Sequence, residues 1–130
     1  MSTYERHSTY SVDEVLSKVG VEKKDTPHFA VFNGQVVRMT SARYRLFKEK
    51  GTVCVNCGVE GTFFALERHR HGNETAYHFN LYGHNSNGHE VMLTKDHIIP
   101  RSKGGKNHVS NYNPMCHKCN QKKGNKLKQE

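Results

Sequence analysis

A chain of 130 residues with 34% hydrophobic residues and no tryptophan predicts one domain with a small apolar core. Domains of this kind commonly need a staple such as a metal site, and four cysteines are present. No stretch resembles a membrane span or a signal peptide, which argues against a membrane protein and favours a cytoplasmic one with reduced thiols.

The net charge of +8 is concentrated towards the C-terminal end. Residues 95–130 hold nine basic and two acidic residues, a net charge of +7, whereas residues 1–94 hold eleven basic and ten acidic residues. Such a concentration of positive charge predicts a polyanionic partner, most simply a nucleic acid. A basic tail that only aids solubility is the alternative.

Two elements are predicted within residues 1–39. Ser11 and Glu14 form a capping-box pattern that opens a helix over residues 11–20, and the following apolar residues recur at helical spacing. In residues 28–39, Asn33 and Gly34 form a tight-turn signal between two apolar runs, which predicts a β-hairpin. We expect residues 1–39 to be accessory to a functional domain over residues 40–130.

Residues 40–130 predict a mixture of helices and strands. A helix is predicted over residues 40–51, with Thr40 or Ser41 as its cap and Gly51 just past its end. Residues 61–83 are typical of strands separated by a polar turn, and residues 89–98 predict a further strand. A glycine-rich loop over residues 102–107 follows, and residues 117–129 predict a C-terminal helix that Gly124 weakens or ends.

The cysteines form two pairs, Cys54-x-x-Cys57 and Cys116-x-x-Cys119. Four thiolates favour a tetrahedral zinc ion, with a redox dithiol or free buried cysteines as the alternatives. The 58 residues between Cys57 and Cys116 are far more than a compact zinc finger encloses. We therefore expect one zinc ion that joins the two ends of a long inserted segment. Its role would be structural, because four protein ligands leave no position for water.

Asp96 and His97 stand side by side just before Pro100 and the glycine-rich loop. Phosphodiester hydrolysis requires an activated water and positive charge at the phosphate. Histidine suits the role of general base near neutral pH, and carboxylate and amide oxygens suit magnesium. Because neighbours on a regular strand point to opposite faces, Asp96 and His97 serve one site only if the strand ends or twists there.

Taken singly, the candidate residues have ordinary interpretations. His97 is as consistent with a surface or packed histidine, Asn111 with a turn residue, and Asn120 with a helix cap. Asn107 or Asn113 could also stand in the place that we give to Asn111. The case for a site depends on the residues occurring together, in order, and at fixed positions relative to the cysteines.

Three segments together resemble the HNH endonucleases of the zinc-knuckle ββα-metal type. They are Cys54-x-x-Cys57-Gly58, the sequence DHIIPRSKGG over residues 96–105, and the sequence SNYNPMCHKCNQKKGNK over residues 110–126. The resemblance covers residues 40–127 and implies an α+β fold with a ββα-metal (His-Me finger) core, a structural zinc site of four cysteines and an inserted β segment. It is also typical of small free-standing proteins encoded by phages, which would act in the cytoplasm of the infected bacterium.

The resemblance implies a role for each candidate residue. His97 would be the general base, Asp96 the acidic metal ligand before it, and Asn111 the residue that positions the histidine. Asn120 stands where many members have a final histidine, so the pattern here is H-N-N. That change favours magnesium or manganese as the catalytic ion, because an amide oxygen suits a hard cation. The family also leads us to expect nicking of DNA by a single module.

The partner implied is DNA, held through its phosphates by basic residues near the site. The predicted backbone-binding residues are Arg101, Lys103, Lys106, Lys122, Lys123 and Lys126. A zinc-stabilised nucleic-acid-binding module without catalysis is the alternative function. Such a module would keep the cysteines and the basic residues but would require neither Asp96 nor His97.

Overall fold

The computed structural model describes residues 3–20, 28–71 and 76–124. The fold is α+β, as the sequence predicts. The strands are β1 (Tyr4–Ser11), β2 (Phe29–Phe32), β3 (Gln35–Arg38), β4 (Gly61–His69), β5 (His78–His84), β6 (Glu90–His97) and β7 (Tyr112–Cys116). The helices are α1 (Val12–Leu16), α2 (Ala42–Lys50) and α3 (His117–Lys123), and none of them has the length and apolar character of a membrane span.

Five strands form one antiparallel sheet in the order β1-β4-β5-β6-β7, and β2 and β3 form a separate hairpin. Strands β4 and β5 pair Phe64 with Leu81 and Leu66 with Phe79, and Leu81 pairs in turn with Leu93 of β6. These five side chains are fully buried. Because side chains alternate along strands, this register places all of them on one face of the sheet.

Helix α2 and the β2–β3 hairpin cover this apolar face. Phe47 of α2 packs against Phe64 with ring centroids 6.2 Å apart, and Phe32 of the hairpin packs edge-on against Phe79 at 4.7 Å. The hydroxyl of Tyr44 also accepts a hydrogen bond of 2.8 Å from the backbone N–H of Phe79. The hairpin and strands β4 and β5 therefore belong to one hydrophobic core.

The other face of the sheet carries a buried polar network. The carboxylate of Glu67, which is almost fully buried, accepts hydrogen bonds from the Asn80 amide at 2.8 Å, from the Tyr82 hydroxyl and from Arg6 at 3.3 Å. Arg6 also reaches Glu90 at 2.8 Å. These bonds join β1, β4, β5 and β6 across the face, and they satisfy a carboxylate that would otherwise be costly to bury.

The N-terminal elements agree with the sequence in kind but not in extent. Ser11 caps α1 by accepting a hydrogen bond of 3.2 Å from the backbone N–H of Glu14, but the helix ends at Leu16 and not at residue 20. The hairpin turns at Asn33 and Gly34, both with positive φ, as the sequence predicts. Strand β1 was not predicted, because its polar sequence does not indicate a strand. Its pairing partner β4 lies about 60 residues away along the chain.

The second and third helices begin where the sequence predicts. Ser41, and not Thr40, caps α2, and Gly51 with φ 94° ends it. Helix α3 begins at His117 and is followed by Gly124, whose φ is 54°. The expected continuation of this helix to residue 129 lies outside the described residues.

Candidate functional site

Strands β6 and β7 and helix α3 form a ββα unit at the C-terminal end of the described chain. The two strands are antiparallel neighbours, with His97 opposite Tyr112 and Asp96 opposite Asn113. Strand β6 ends at His97, and a cleft of about 270 Å³ lies at that end. Asp96, His97 and Asn120 all line this cleft, so the strand end brings together two neighbours that a continuing strand would separate.

Asp96 lies buried at the base of the cleft in an ion pair. Lys123 of α3 places its Nζ atom 2.8 Å from Asp96 Oδ2 and donates a second hydrogen bond of 2.6 Å to the carbonyl oxygen of His97. Both charged side chains are less than a tenth exposed. Lys123 thus contacts two residues that line the cleft, whereas the neighbouring Lys122 lies exposed.

Asn120 reaches the cleft from the first half of α3. Its amide nitrogen donates to Thr94 Oγ1 at 3.0 Å and to the carbonyl oxygen of Lys95 at 3.2 Å. These two acceptors fix the orientation of the amide and leave its oxygen as the group offered to the cleft. A carboxylate oxygen from Asp96 and an amide oxygen from Asn120 are ligands of the type that magnesium and manganese prefer, so the residues fit such an ion.

His97 contacts Asn107, which sequence reasoning named only as a competitor for Asn111. The Nε2 atom of His97 lies 2.8 Å from Asn107 Oδ1, and the imidazole ring meets the Tyr112 ring edge-on with centroids 4.9 Å apart. Asn107 ends the glycine-rich loop and lies ten residues from the histidine. Only the folded loop brings the two side chains together.

Asn111 instead holds the backbone of that loop. Its side-chain oxygen accepts from the N–H of Ile99 at 2.9 Å, and its nitrogen donates to the carbonyl oxygens of Ile99 at 3.0 Å and Lys106 at 2.9 Å. The structure therefore places Asn111 beside the histidine-bearing segment, as expected, but its bonds go to the loop and not to the His97 ring. Asn111 thus holds the backbone of the loop through hydrogen bonds, and Asn107 lies on that loop.

Glycine is required where this loop folds back on itself. A short 3₁₀ helix spans Arg101–Lys103, and Gly105 follows it and donates its N–H to the carbonyl oxygen of Pro100 at 2.9 Å. A Cβ atom on Gly105 would lie 1.7 Å from the carbonyl oxygen of Ile99, which no side chain tolerates. The compact loop places Arg101 and Ser102 on the wall of the cleft.

The four cysteines come together as the sequence predicts. The sulfur atoms of Cys54, Cys57, Cys116 and Cys119 all lie within 4.8 Å of one another, with Cys57 and Cys116 separated by 3.8 Å. Tetrahedral zinc with bonds of about 2.3 Å requires sulfur atoms about 3.8 Å apart, so the cluster fits a zinc ion. The N–H of Val55 donates to the carbonyl oxygen of Pro114 at 3.0 Å and ties the first pair to β7.

The surroundings of the cysteines affect their ionisation differently. Burial disfavours the thiolate of Cys54, but the backbone N–H groups of Cys57, Cys116 and Asn56 outweigh it and lower the pKa of Cys54 to about 7. Burial raises the pKa of Cys116 to about 12. At neutral pH without a metal, the sulfur of Cys116 is therefore protonated, and zinc must displace that proton to bind.

The predicted backbone-binding residues do not all lie in comparable positions. Arg101, Lys103, Lys106 and Lys122 are exposed, and Arg101 lines the cleft. Lys123 is engaged with Asp96, and Lys126 lies outside the described residues. The predicted backbone-binding residues do not include three further cations, Arg43, Arg45 and Lys95. Burial and the charges of Arg43 and Arg45 lower the pKa of Lys95, and Arg43 and Lys95 line the same concave surface.

The ββα unit, with its cleft and its second cysteine pair, coincides with the part of the chain that matches a known family. The model of the HNH endonuclease family matches residues 85–130. This match supports the assignment of residues 85–130 to the HNH endonuclease family. The match includes β6, β7 and α3 and leaves the first cysteine pair and the N-terminal elements outside it. No curated protein and no solved structure matches the chain.

Members of this family are metal-dependent nucleases that act on DNA, so the match suggests an activity of this class. The HNH domain has the ββα-metal fold, and the cysteine cluster beside it has the geometry of a metal site. Both agree with the fold class that the sequence predicts.

Proposed function

We propose that the protein is a DNA endonuclease in which His97 activates a water molecule and Asp96 and Asn120 hold one magnesium or manganese ion. The observation that carries the proposal is the convergence of these three side chains on a single cleft at the end of β6. Phosphodiester hydrolysis needs a base and a cation within reach of one phosphate, and this cleft offers both types of group.

The contact with Asn107 supports His97 as the base. An amide oxygen only accepts hydrogen bonds, so the Nε2 atom of His97 carries a proton in this pair. In the neutral ring the lone pair then lies on Nδ1, which is the atom that takes the proton from water. The contact with Tyr112 fixes the ring plane, so the direction of Nδ1 is set before substrate binds.

Asp96 and Asn120 provide the oxygen ligands of the catalytic ion. When bound, the ion would neutralise charge on the phosphate and on the leaving oxygen. Asp96 holds its place at the buried end of β6, and the two hydrogen bonds of the Asn120 nitrogen keep its oxygen directed to the same cleft. Arg101 and Ser102 on the cleft wall are suited to the phosphate oxygens.

The cysteine cluster is proposed as a structural zinc site. It joins the segment after α2 to the junction of β7 and α3, because Cys116 is also the N-cap of α3 and accepts from the Cys119 N–H at 3.4 Å. Four thiolate ligands leave no position for water, so this zinc would set the orientation of α3 and of Asn120 without taking part in hydrolysis.

One ββα unit contains one base and one ion site, so each binding event is expected to cut one strand and leave a nick. Cleavage of a duplex labelled on either strand, followed over a magnesium titration, tests both the ion ligands and the nicking. Asn120→Leu should shift half-maximal cleavage to higher magnesium concentration, whereas Asn120→Asp should keep a ligand oxygen. Retention of DNA without cleavage by the wild type at any magnesium or manganese concentration would favour the non-catalytic binding module.

A further inference from the structure

A second concave surface lies beside the catalytic cleft and is lined by residues of the N-terminal hairpin, of α2 and of strands β5 and β6. This groove has a volume of about 640 Å³, and it runs between the outward face of β2 and β3, the start of α2 and the middle of β6. The residues on which its chemistry depends are Phe29, Val36, Arg38, Arg43, Tyr77 and Lys95. Most of it lies outside the part of the chain that matches the HNH family.

The charge of the groove suits an anion. Arg38, Arg43 and Lys95 contribute three cations, and the described residues that line the groove include no carboxylate. Arg43 and Lys95 line the same groove, and the pKa of Lys95 is lowered by its burial and by repulsion from positive charges that include Arg43. An anion placed between them would relieve that repulsion, and a phosphate offers several acceptor oxygens to guanidinium and ammonium groups.

The apolar part of the groove suits the sugars and bases that accompany phosphates in DNA. The hairpin buries Phe32 and Val37 against the core, whereas Phe29 and Val36 on its other face are 53% and 66% exposed. Exposed aromatic and aliphatic side chains beside arginine are a combination that protein surfaces use against nucleic acids. A purely structural hairpin would not require this face to be apolar, since it contacts solvent.

The groove lies next to the catalytic cleft. Lys95 lines both surfaces. Its Nζ atom lies 4.7 Å from the centre of the Tyr112 ring, and that ring is in contact with His97. A DNA strand that presents a phosphate to Asp96 and His97 therefore has a cationic path onward into the groove.

We propose that this groove binds the sugar-phosphate backbone of the DNA that flanks the cleavage position. The β2–β3 hairpin would then extend the DNA contact of the HNH domain beyond the catalytic cleft. The inference rests on the proposed function, because it takes DNA to be the substrate. It goes further by assigning a DNA-binding surface to residues that the family match does not include.

The test measures DNA binding by fluorescence anisotropy as a function of salt, with His97→Ala as the parent so that no cleavage occurs. Arg38→Gln removes one groove cation. Lys48→Gln is the matched control, since Lys48 is an exposed cation at the other end of α2 that does not line the groove. Arg38→Gln should weaken binding about tenfold and reduce the slope of log K against log salt by about one, as loss of one phosphate contact requires. Lys48→Gln should change neither quantity by a comparable amount.

A second pair of variants tests the apolar part of the groove. Phe29→Ser should weaken DNA binding about threefold or more without changing the salt slope, because it removes an uncharged contact. Val31→Ser is the control, since Val31 is 61% exposed on the same face of the hairpin but does not line the groove.

The outcomes separate the two proposals. If the His97→Ala parent does not bind DNA, the proposed function and the groove both fail. If the parent binds DNA with the same affinity and salt slope in the Arg38→Gln and Phe29→Ser variants, the groove proposal is overturned while the proposed function stands.

Discussion

Lys123 and Asp96 form an ion pair of 2.8 Å at the end of β6, and the same ammonium group also binds the carbonyl oxygen of His97. The two side chains are only 7% and 6% exposed. A divalent ion that binds Asp96 must compete with this ammonium, because both need the same carboxylate. In the proposed site the lysine would therefore neutralise the carboxylate and weaken the binding of a metal ion to it.

Removal of this competitor should strengthen metal binding. We expect Lys123→Met to bind Mn²⁺ about tenfold more tightly than the wild type in the absence of DNA, because a charge-assisted bond to Asp96 no longer has to be broken. Calorimetry or the paramagnetic resonance of free Mn²⁺ measures the affinity. Lys122→Met is the control, since it removes the same charge from the adjacent exposed position. Equal affinities in all three proteins would show that the ion does not use Asp96.

The three hydrogen bonds of Asn111 to the loop predict an effect on both stability and cleavage. Asn111→Ala should reduce the free energy of unfolding by about 1–3 kcal/mol, because partners in a tight loop lose their hydrogen bonds. Cleavage should fall as well, since the loop no longer holds Asn107 against His97. Chemical denaturation and single-turnover cleavage measure the two effects. Asn113→Ala, two residues along the chain, should change each of them little, and comparable losses in both variants would contradict a specific role for Asn111.

Asn107 should affect cleavage without affecting the fold. Its side chain is exposed, so Asn107→Ala should leave the free energy of unfolding unchanged within about 0.5 kcal/mol. The rate of cleavage should nevertheless fall about tenfold or more, because the His97 ring loses the acceptor that fixes its tautomer. Asn107→Asp keeps an acceptor oxygen and should retain more activity than Asn107→Ala. Full activity in Asn107→Ala would show that the contact between Asn107 and His97 does not contribute to cleavage.

Zinc binding should weaken as the pH falls through about 7. Above that pH the thiol of Cys54 is already ionised and zinc displaces the protons of Cys57 and Cys116, whose pKa values are raised, whereas below it zinc must also displace the proton of Cys54. Competition with a chromophoric chelator at about pH 6 and about pH 8 measures the difference in zinc affinity. An affinity that does not change with pH would argue against thiolate ligands. Cys116→Ser should lose zinc and unfold at lower temperature.

Much of the candidate site was predictable because its residues lie in short, fixed spacings. The two cysteine pairs, the neighbours Asp96 and His97, and Asn120 directly after Cys119 can all be located by sequence. The family match over residues 85–130 and the cysteine cluster agree with this interpretation. The roles of the individual residues stay predictions until cleavage is measured.

Contacts that depend on the folded loop and on long-range pairing could not be predicted in the same way. Lys123 was counted among the surface cations, because nothing in the sequence shows that α3 turns it towards Asp96. Asn107 and Asn111 are both asparagines near the same loop, and only the loop geometry distinguishes the ring contact from the backbone contacts. Strand β1 could not be predicted from its own sequence, because its stability comes from pairing with β4.

The proposal that His97 is the general base of a metal-dependent nuclease is tested most directly by conversion of supercoiled plasmid. The wild-type protein and His97→Ala are compared, each with magnesium and with excess EDTA. The wild type with magnesium should convert supercoiled DNA to the nicked form, and either EDTA or the substitution should abolish this conversion. His97→Ala should still fold and retain DNA. Equal cleavage by the wild type and His97→Ala would contradict the central claim that His97 is the general base of this nuclease.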